Sequence, residues 1–175
     1  MELKIYQRHV IDDLTRYLAL LSETRNISEA FSRFWMEKSV RTGFGQIKKY
    51  QNVLPGVPSL CMKVPTGGGK TFLACNAVKP IFDALPATKT KVAVWLVPSD
   101  AILTQTIKAL KNPDHPYRQK LDVDFGSRVE VYSKEQLLNG QNFNPTAVTE
   151  QLSICVLSYD SFRGRKENLD RKSVV

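Results

Sequence analysis

Apolar residues recur through the first part of the chain at steps of three and four. Tyr6, Val10, Leu14, Tyr17, Leu18 and Leu21 share one face if residues 4–23 form a helix. The pattern predicts a second helix around residues 28–40, with Ser28 as its N-cap and Phe31, Phe34 and Trp35 as apolar anchors. Residues 41–58 break the rhythm. They are polar, they contain Gly43, Gly45, Pro55, Gly56 and Pro58, and they read mostly as loop.

From Ser59 the pattern becomes strand, turn, helix. Residues 59–64 form a short apolar run that ends in a glycine cluster, and residues 71–85 read as a helix that Pro80 ends or kinks. Residues 92–97 make a compact buried strand. Ser99 caps a helix running to about Leu110, and Pro113 closes it. A third strand is expected over residues 128–132. Asn144-Pro145 resembles an N-cap with proline at the first helical position, opening a short helix, and residues 153–158 read as a fourth strand. Strands that alternate with helical patterns imply crossover units, a parallel sheet and an α/β fold.

Charge narrows the class of partner. Twenty-five Lys and Arg face seventeen Asp and Glu, a formal net charge of +8. Surplus positive charge favours polyanions, nucleic acid first among them. Arg163, Arg165, Lys166, Arg171 and Lys172 gather near the end, but no run of five like charges forms a basic tail. The three cysteines, Cys61, Cys75 and Cys155, are odd in number and far apart, which argues against a disulfide framework or a zinc site. Cys61 and Cys155 lie in apolar runs, where cysteine acts as a small hydrophobe. This usage fits a reducing, cytoplasmic setting. No apolar run reaches the roughly 20 residues of a membrane span, and no membrane partner is expected.

Residues 64–71 read Val-Pro-Thr-Gly-Gly-Gly-Lys-Thr. A phosphate tail is a dense anion. Holding it requires backbone N–H groups that converge from a loop unobstructed by side chains. Gly67, Gly68 and Gly69 supply such a loop, with Thr66 at its entrance. A helix starting at the end of the loop turns its positive pole toward the phosphates. Lys70 then reaches the β- and γ-phosphates of ATP, and the Thr71 hydroxyl ligates Mg²⁺. The general P-loop pattern is GxxxxGK[ST]; here Val64 stands in place of its first glycine.

In the form Pro-Thr-Gly-Gly-Gly-Lys-Thr this loop resembles motif I of superfamily 2 helicases and translocases, which tolerates an apolar residue at the position of Val64. Three further segments support the resemblance. Leu3-Lys4-Ile5-Tyr6-Gln7 is similar to the N-terminal element of restriction-enzyme motor subunits, which implies that Gln7 contacts the adenine edge. Val94-Trp95-Leu96-Val97-Pro98-Ser99, followed by Gln105, resembles motif Ia, where a helix start meets a DNA phosphate; the implied DNA contacts are Pro98, Ser99 and Gln105. Ser99 would leave the same trace as an ordinary cap. Residues 154–162 resemble a later strand and turn whose hydroxyl residues touch DNA, which implicates Ser158 and Tyr159. A simple strand exit capped by Asp160 or Ser161 fits those residues as well.

The chain most resembles the restriction (Res) subunit of type III restriction-modification enzymes. That likeness implies a RecA-like P-loop domain, incomplete here, with an N-terminal helical extension. Residues 1–58 would be the helical segment carrying the glutamine, and residues 59–175 the first part of the ATPase domain. It also implies an ATP hydrolase acting on DNA with Mg²⁺, a nuclease in the full-length protein, and a methyltransferase subunit as a possible partner. The family's motif II needs an Asp-Glu pair after an apolar strand. None follows the P-loop, so the chain is expected to be an N-terminal piece that is inactive alone. Two other classes stay open. One is a P-loop kinase or GTPase, although no guanine-reading NKxD motif is found. The other is a non-catalytic DNA-binding module that kept the fold without motif II.

Overall fold

The structure, a computed structural model, describes residues 1–43, 45–85, 88–140, 143 and 146–162. The Asn144-Pro145 pair and the basic residues from Arg163 onward lie outside the described residues. The chain divides into two compact units, residues 1–87 and 88–175.

The first unit is built on three helices. Helix α1 spans Ile5–Thr24, α2 spans Ile27–Glu37 and α3 spans Lys70–Asp83. The apolar stripe of α1 serves two partners. Tyr17 and Leu20 pack with Ala30 and Phe34 of α2, and the Tyr17 and Phe34 rings meet edge to face, 6.3 Å between centroids. Leu14 and Leu18 pack against Ala77 of α3. Two charged links close the outer side of the α1–α2 hairpin, Arg16 with Glu37 and Lys38 with Asp13. The hydrogen bond from Arg16 holds the exposed Glu37 carboxyl below its ordinary pKa.

The cap of α2 is not Ser28. Asn26 takes that position, two residues earlier, and its side chain accepts from the Glu29 N–H at 3.0 Å. Asn ranks with the best N-caps, and the left-handed Arg25 that ends α1 delivers the chain directly to it. Pro80 does not end α3, which continues to Asp83.

The predicted strand at residues 59–64 is not formed. The segment carries no strand assignment, and Leu60, Cys61 and Met62 are exposed. Its composition favours an extended chain, but a strand also needs a hydrogen-bonding neighbour. None of the described residues of the first unit supplies one. Leu60 and Met62 instead line a cleft of about 600 Å³ together with Tyr17, Phe34 and Trp35.

The second unit is an α/β layer. Strand β1 spans Val92–Val97, β2 spans Val129–Tyr132 and β3 spans Leu152–Ser158. All pairings are parallel and the order is β1-β3-β2, so the strand formed last in sequence lies in the middle. Its burial agrees with that place: Leu152, Ile154 and Val156 are fully enclosed. The Cys155 thiol is pushed above its ordinary pKa by the same burial. Strand β1 forms where expected but is not buried: at the edge of the sheet, its alternate residues Val92, Val94 and Leu96 remain exposed.

Helices α4 (Asp100–Lys111), α5 (Pro116–Phe125) and α6 (Lys134–Leu138) provide the crossovers. Ser99 caps α4 as expected, and the helix ends before Pro113. Sequence patterning predicted neither α5 nor α6. Arg118 joins α5 to its neighbours. Its guanidinium donates to the Val129 carbonyl of β2 at 2.9 Å, to the Leu110 carbonyl of α4 at 3.4 Å and to the Asp122 carboxylate.

Candidate functional site

The glycine loop opens a helix. Lys70 is the first residue of α3 and Gly69 is its N-cap, in the left-handed conformation at φ 72°. The first-turn N–H groups of any helix lack intrahelical acceptors and carry its positive pole, so the bend from Thr66 to Thr71 leads into an anion-favouring end. Thr66, Gly67 and Lys70 are exposed, while Gly69 and Thr71 are half-buried.

Gly68 is required by close approach, and Gly69 is favoured by its left-handed backbone, with the end of the Gln7 side chain against it. A Cβ on Gly68 would lie 2.6 Å from Cγ1 of Val64 and 2.8 Å from the Pro65 carbonyl oxygen. A Cβ on Gly69 would lie 2.6 Å from Nε2 of Gln7. The side chain that replaces the first glycine of the general P-loop pattern therefore packs under the bend, where Gly68 makes room for it. A reverse turn closes the bend, with Gly68 N–H donating to Pro65 O at 3.0 Å.

Gln7, from the first turn of α1, belongs to this site although sixty residues separate it from the loop. It is 2% exposed. Its Nε2 donates to Gly68 O at 2.9 Å, and its Oε1 accepts from Lys4 N at 2.9 Å. Tyr6, which sequence reading placed on an apolar helix face and beside Gln7 but gave no role, also donates to Gly68 O, at 2.9 Å. Nothing in periodicity separates this hydroxyl from the other aromatic residues of α1.

The remaining candidates lie in the second unit. Val97 of β1 pairs with Ser158 of β3, so the two strands end side by side. The turns that follow them, at Pro98-Ser99 and at Tyr159, therefore share the carboxyl edge of the parallel sheet, where ligands of α/β folds bind. Ser99 Oγ accepts from Ile102 N at 3.5 Å, and α4 starts there. Pro98 and Gln105 are exposed, and Tyr159 is 56% exposed. Ser158 differs: it is 2% exposed and its hydroxyl meets that of Ser161 at 3.3 Å.

The residues present fit a nucleotide-bound Mg²⁺ in part. Thr71 offers a hydroxyl at the head of α3. Among the described residues, no group of three or more His, Cys, Asp or Glu side chains comes together to hold a metal by itself. Among the same residues no helix is long and apolar enough to cross a membrane.

A family model described as "Type III restriction enzyme, res subunit" matches residues 1–174. No curated protein and no solved structure matches the chain. The parallel three-stranded sheet flanked by helices is consistent with part of a RecA-like P-loop fold, and the matched family is one of ATP-dependent, helicase-like restriction subunits. With nearly every residue inside the match, the chain belongs to the family of type III restriction enzyme res subunits.

Proposed function

We propose that this chain binds Mg-ATP through the loop from Thr66 to Thr71 and contacts the DNA backbone through the turns at the ends of β1 and β3. In this reading residues 59–175 form the first part of a RecA-like ATPase domain and residues 1–58 a helical extension. The work performed is ATP-driven movement or switching on DNA, within a restriction enzyme that also contains a methyltransferase subunit. The observation that carries the reading is the loop itself: a bend that requires glycine at Gly68, favours it at Gly69 and leads straight into the N-terminus of α3.

The residues have separate tasks. Loop amides and Lys70 bind and orient the phosphates, and the Thr71 hydroxyl holds the ion that they carry. Mg²⁺ would supply charge neutralisation at the β- and γ-oxygens. Ser99, with the amides of the first turn of α4 and its neighbours Pro98 and Gln105, meets a DNA phosphate. Tyr159 offers an exposed hydroxyl next to that turn. The buried Ser158 supports the turn from below, through Ser161.

ATP turnover also needs one carboxylate to hold the ion and one to orient water. No Asp-Glu pair follows the loop in sequence, so this chain is expected to bind nucleotide weakly and hydrolyse essentially none. Titration calorimetry with Mg-ATP and Mg-GTP tests the reading. Saturable heat with ATP that disappears in Lys70→Ala supports it. Absence of heat in the unaltered chain, or equal heat in Lys70→Ala, rejects the loop assignment, and preference for GTP transfers the chain to another P-loop class.

A further inference from the structure

Two donors from the first turn of α1 converge on one carbonyl oxygen of the glycine loop. Tyr6 Oη–H and Gln7 Nε2–H both reach Gly68 O, each at 2.9 Å. The carboxamide of Gln7 is also engaged at its other end, by Lys4 N, and is almost wholly buried. Its two ends are thus engaged by the loop and by the start of α1.

The engaged peptide lies between Gly68 and Gly69. No Cβ stands on either side of it, so this plane turns over more easily than one flanked by side chains. A trans peptide is planar, with its C=O and the following N–H pointing in opposite directions. No cis peptide bond occurs among the described residues. Fixing Gly68 O toward α1 therefore fixes the Gly69 N–H away from α1. That N–H sits at the N-cap of α3, one residue before Lys70.

We propose that Tyr6 is a positioning residue of the phosphate loop, acting with Gln7 through the Gly68 carbonyl to hold the Gly69 amide in its anion-facing orientation. The inference rests on the reading of this loop as a phosphate site. It assigns the first turn of α1 to the triphosphate end of the ligand, because a peptide tether affects every ligand with phosphates, whether or not it carries a base. Tyr6 suits a test: its ring is 39% exposed, so losing the hydroxyl opens no cavity in the core.

The experiment compares the unaltered chain with Tyr6→Phe and Gln7→Met, using Mg-ATP and Mg-tripolyphosphate as titrants, with circular dichroism to check folding. Tyr6→Phe is expected to weaken both ligands by the same factor, about fivefold, equivalent to ~1 kcal/mol for one lost hydrogen bond. Gln7→Met should likewise weaken both. A second readout needs no ligand: in an ¹⁵N-resolved spectrum, freeing the 68–69 peptide should broaden or double the Gly69 amide signal in Tyr6→Phe. Unchanged tripolyphosphate affinity in Tyr6→Phe, with a single unmoved Gly69 signal, overturns the proposal. So does a Gln7→Met variant that loses affinity for ATP only, since that result gives the amide to the base. If the unaltered chain binds neither titrant, the phosphate reading itself fails; normal wild-type binding with an indifferent Tyr6→Phe removes only the tether.

Discussion

At Tyr17 the core of the first unit contains a polar atom that it does not use. The side chain is 3% exposed, packed between Leu20 and Phe34, and its hydroxyl is buried without a hydrogen-bond partner among the described residues. Burial pushes the phenol up to about 12 from its ordinary 10.0. Because the pKa in the fold is the raised one, the neutral phenol's contribution is complete below pH 10. It is lost as pH rises toward 12, where the unfolded chain ionises first. Tyr17→Phe keeps the ring and removes the unsatisfied group. It should leave stability unchanged or raise it by about 1 kcal/mol, and it should flatten the alkaline limb of an unfolding curve followed by circular dichroism. A loss of 2 kcal/mol or more would mean that the hydroxyl has a partner after all.

The elements repeat this contrast between what is local and what is not. Strand β1, helix α4 with its Ser99 cap, and the amphipathic α1 were legible because each carries its own signal in period or cap. The glycine loop was legible for the same reason, since its residue types state their geometry. The stretch at residues 59–64 has an equally apolar pattern and remains unpaired, because a strand is completed by a neighbour that no local pattern reveals. Helix α5 failed in the opposite direction. Only Leu121 is buried along it, so no apolar stripe announced it, although Pro116 at its start and the left-handed Gly126 at its end were visible boundary marks. Helix α6 was betrayed only by its Ser133–Gln136 capping box.

Beside the buried Leu121, Arg118 joins α5 to its neighbours through the Leu110 and Val129 carbonyls. Arg118→Ala should destabilise the second unit by roughly 2–3 kcal/mol, read as a lower urea midpoint. Arg118→Lys should recover only part of that, because a single ammonium cannot reproduce a planar fork with three directions. Recovery in full would reduce the role of the residue to its charge.

For the molecule as a whole, the net charge sets what the proposed DNA binding should look like. A net +8 chain that meets a DNA backbone without reading bases should bind any sequence alike and lose affinity steeply with salt. Fluorescence anisotropy should give log K falling linearly with log salt, at about 0.9 per phosphate engaged. A flat salt response would exclude phosphate contacts by the Lys and Arg surplus. The proposed contacts Ser99 and Gln105 were suggested in sequence only by likeness to a motif, whereas the adjacency of their turn to Tyr159 required the register of β1 on β3.

That sheet order also governs how the second unit comes into being. Strands β1 and β2 do not pair with each other; both pair with β3, which leaves the ribosome after them. Until Leu152 and the residues after it are synthesised, neither strand has its hydrogen-bonding neighbour in the sheet. Assembly of this sheet therefore turns on its last strand, whose arrival gives both earlier strands a partner at once.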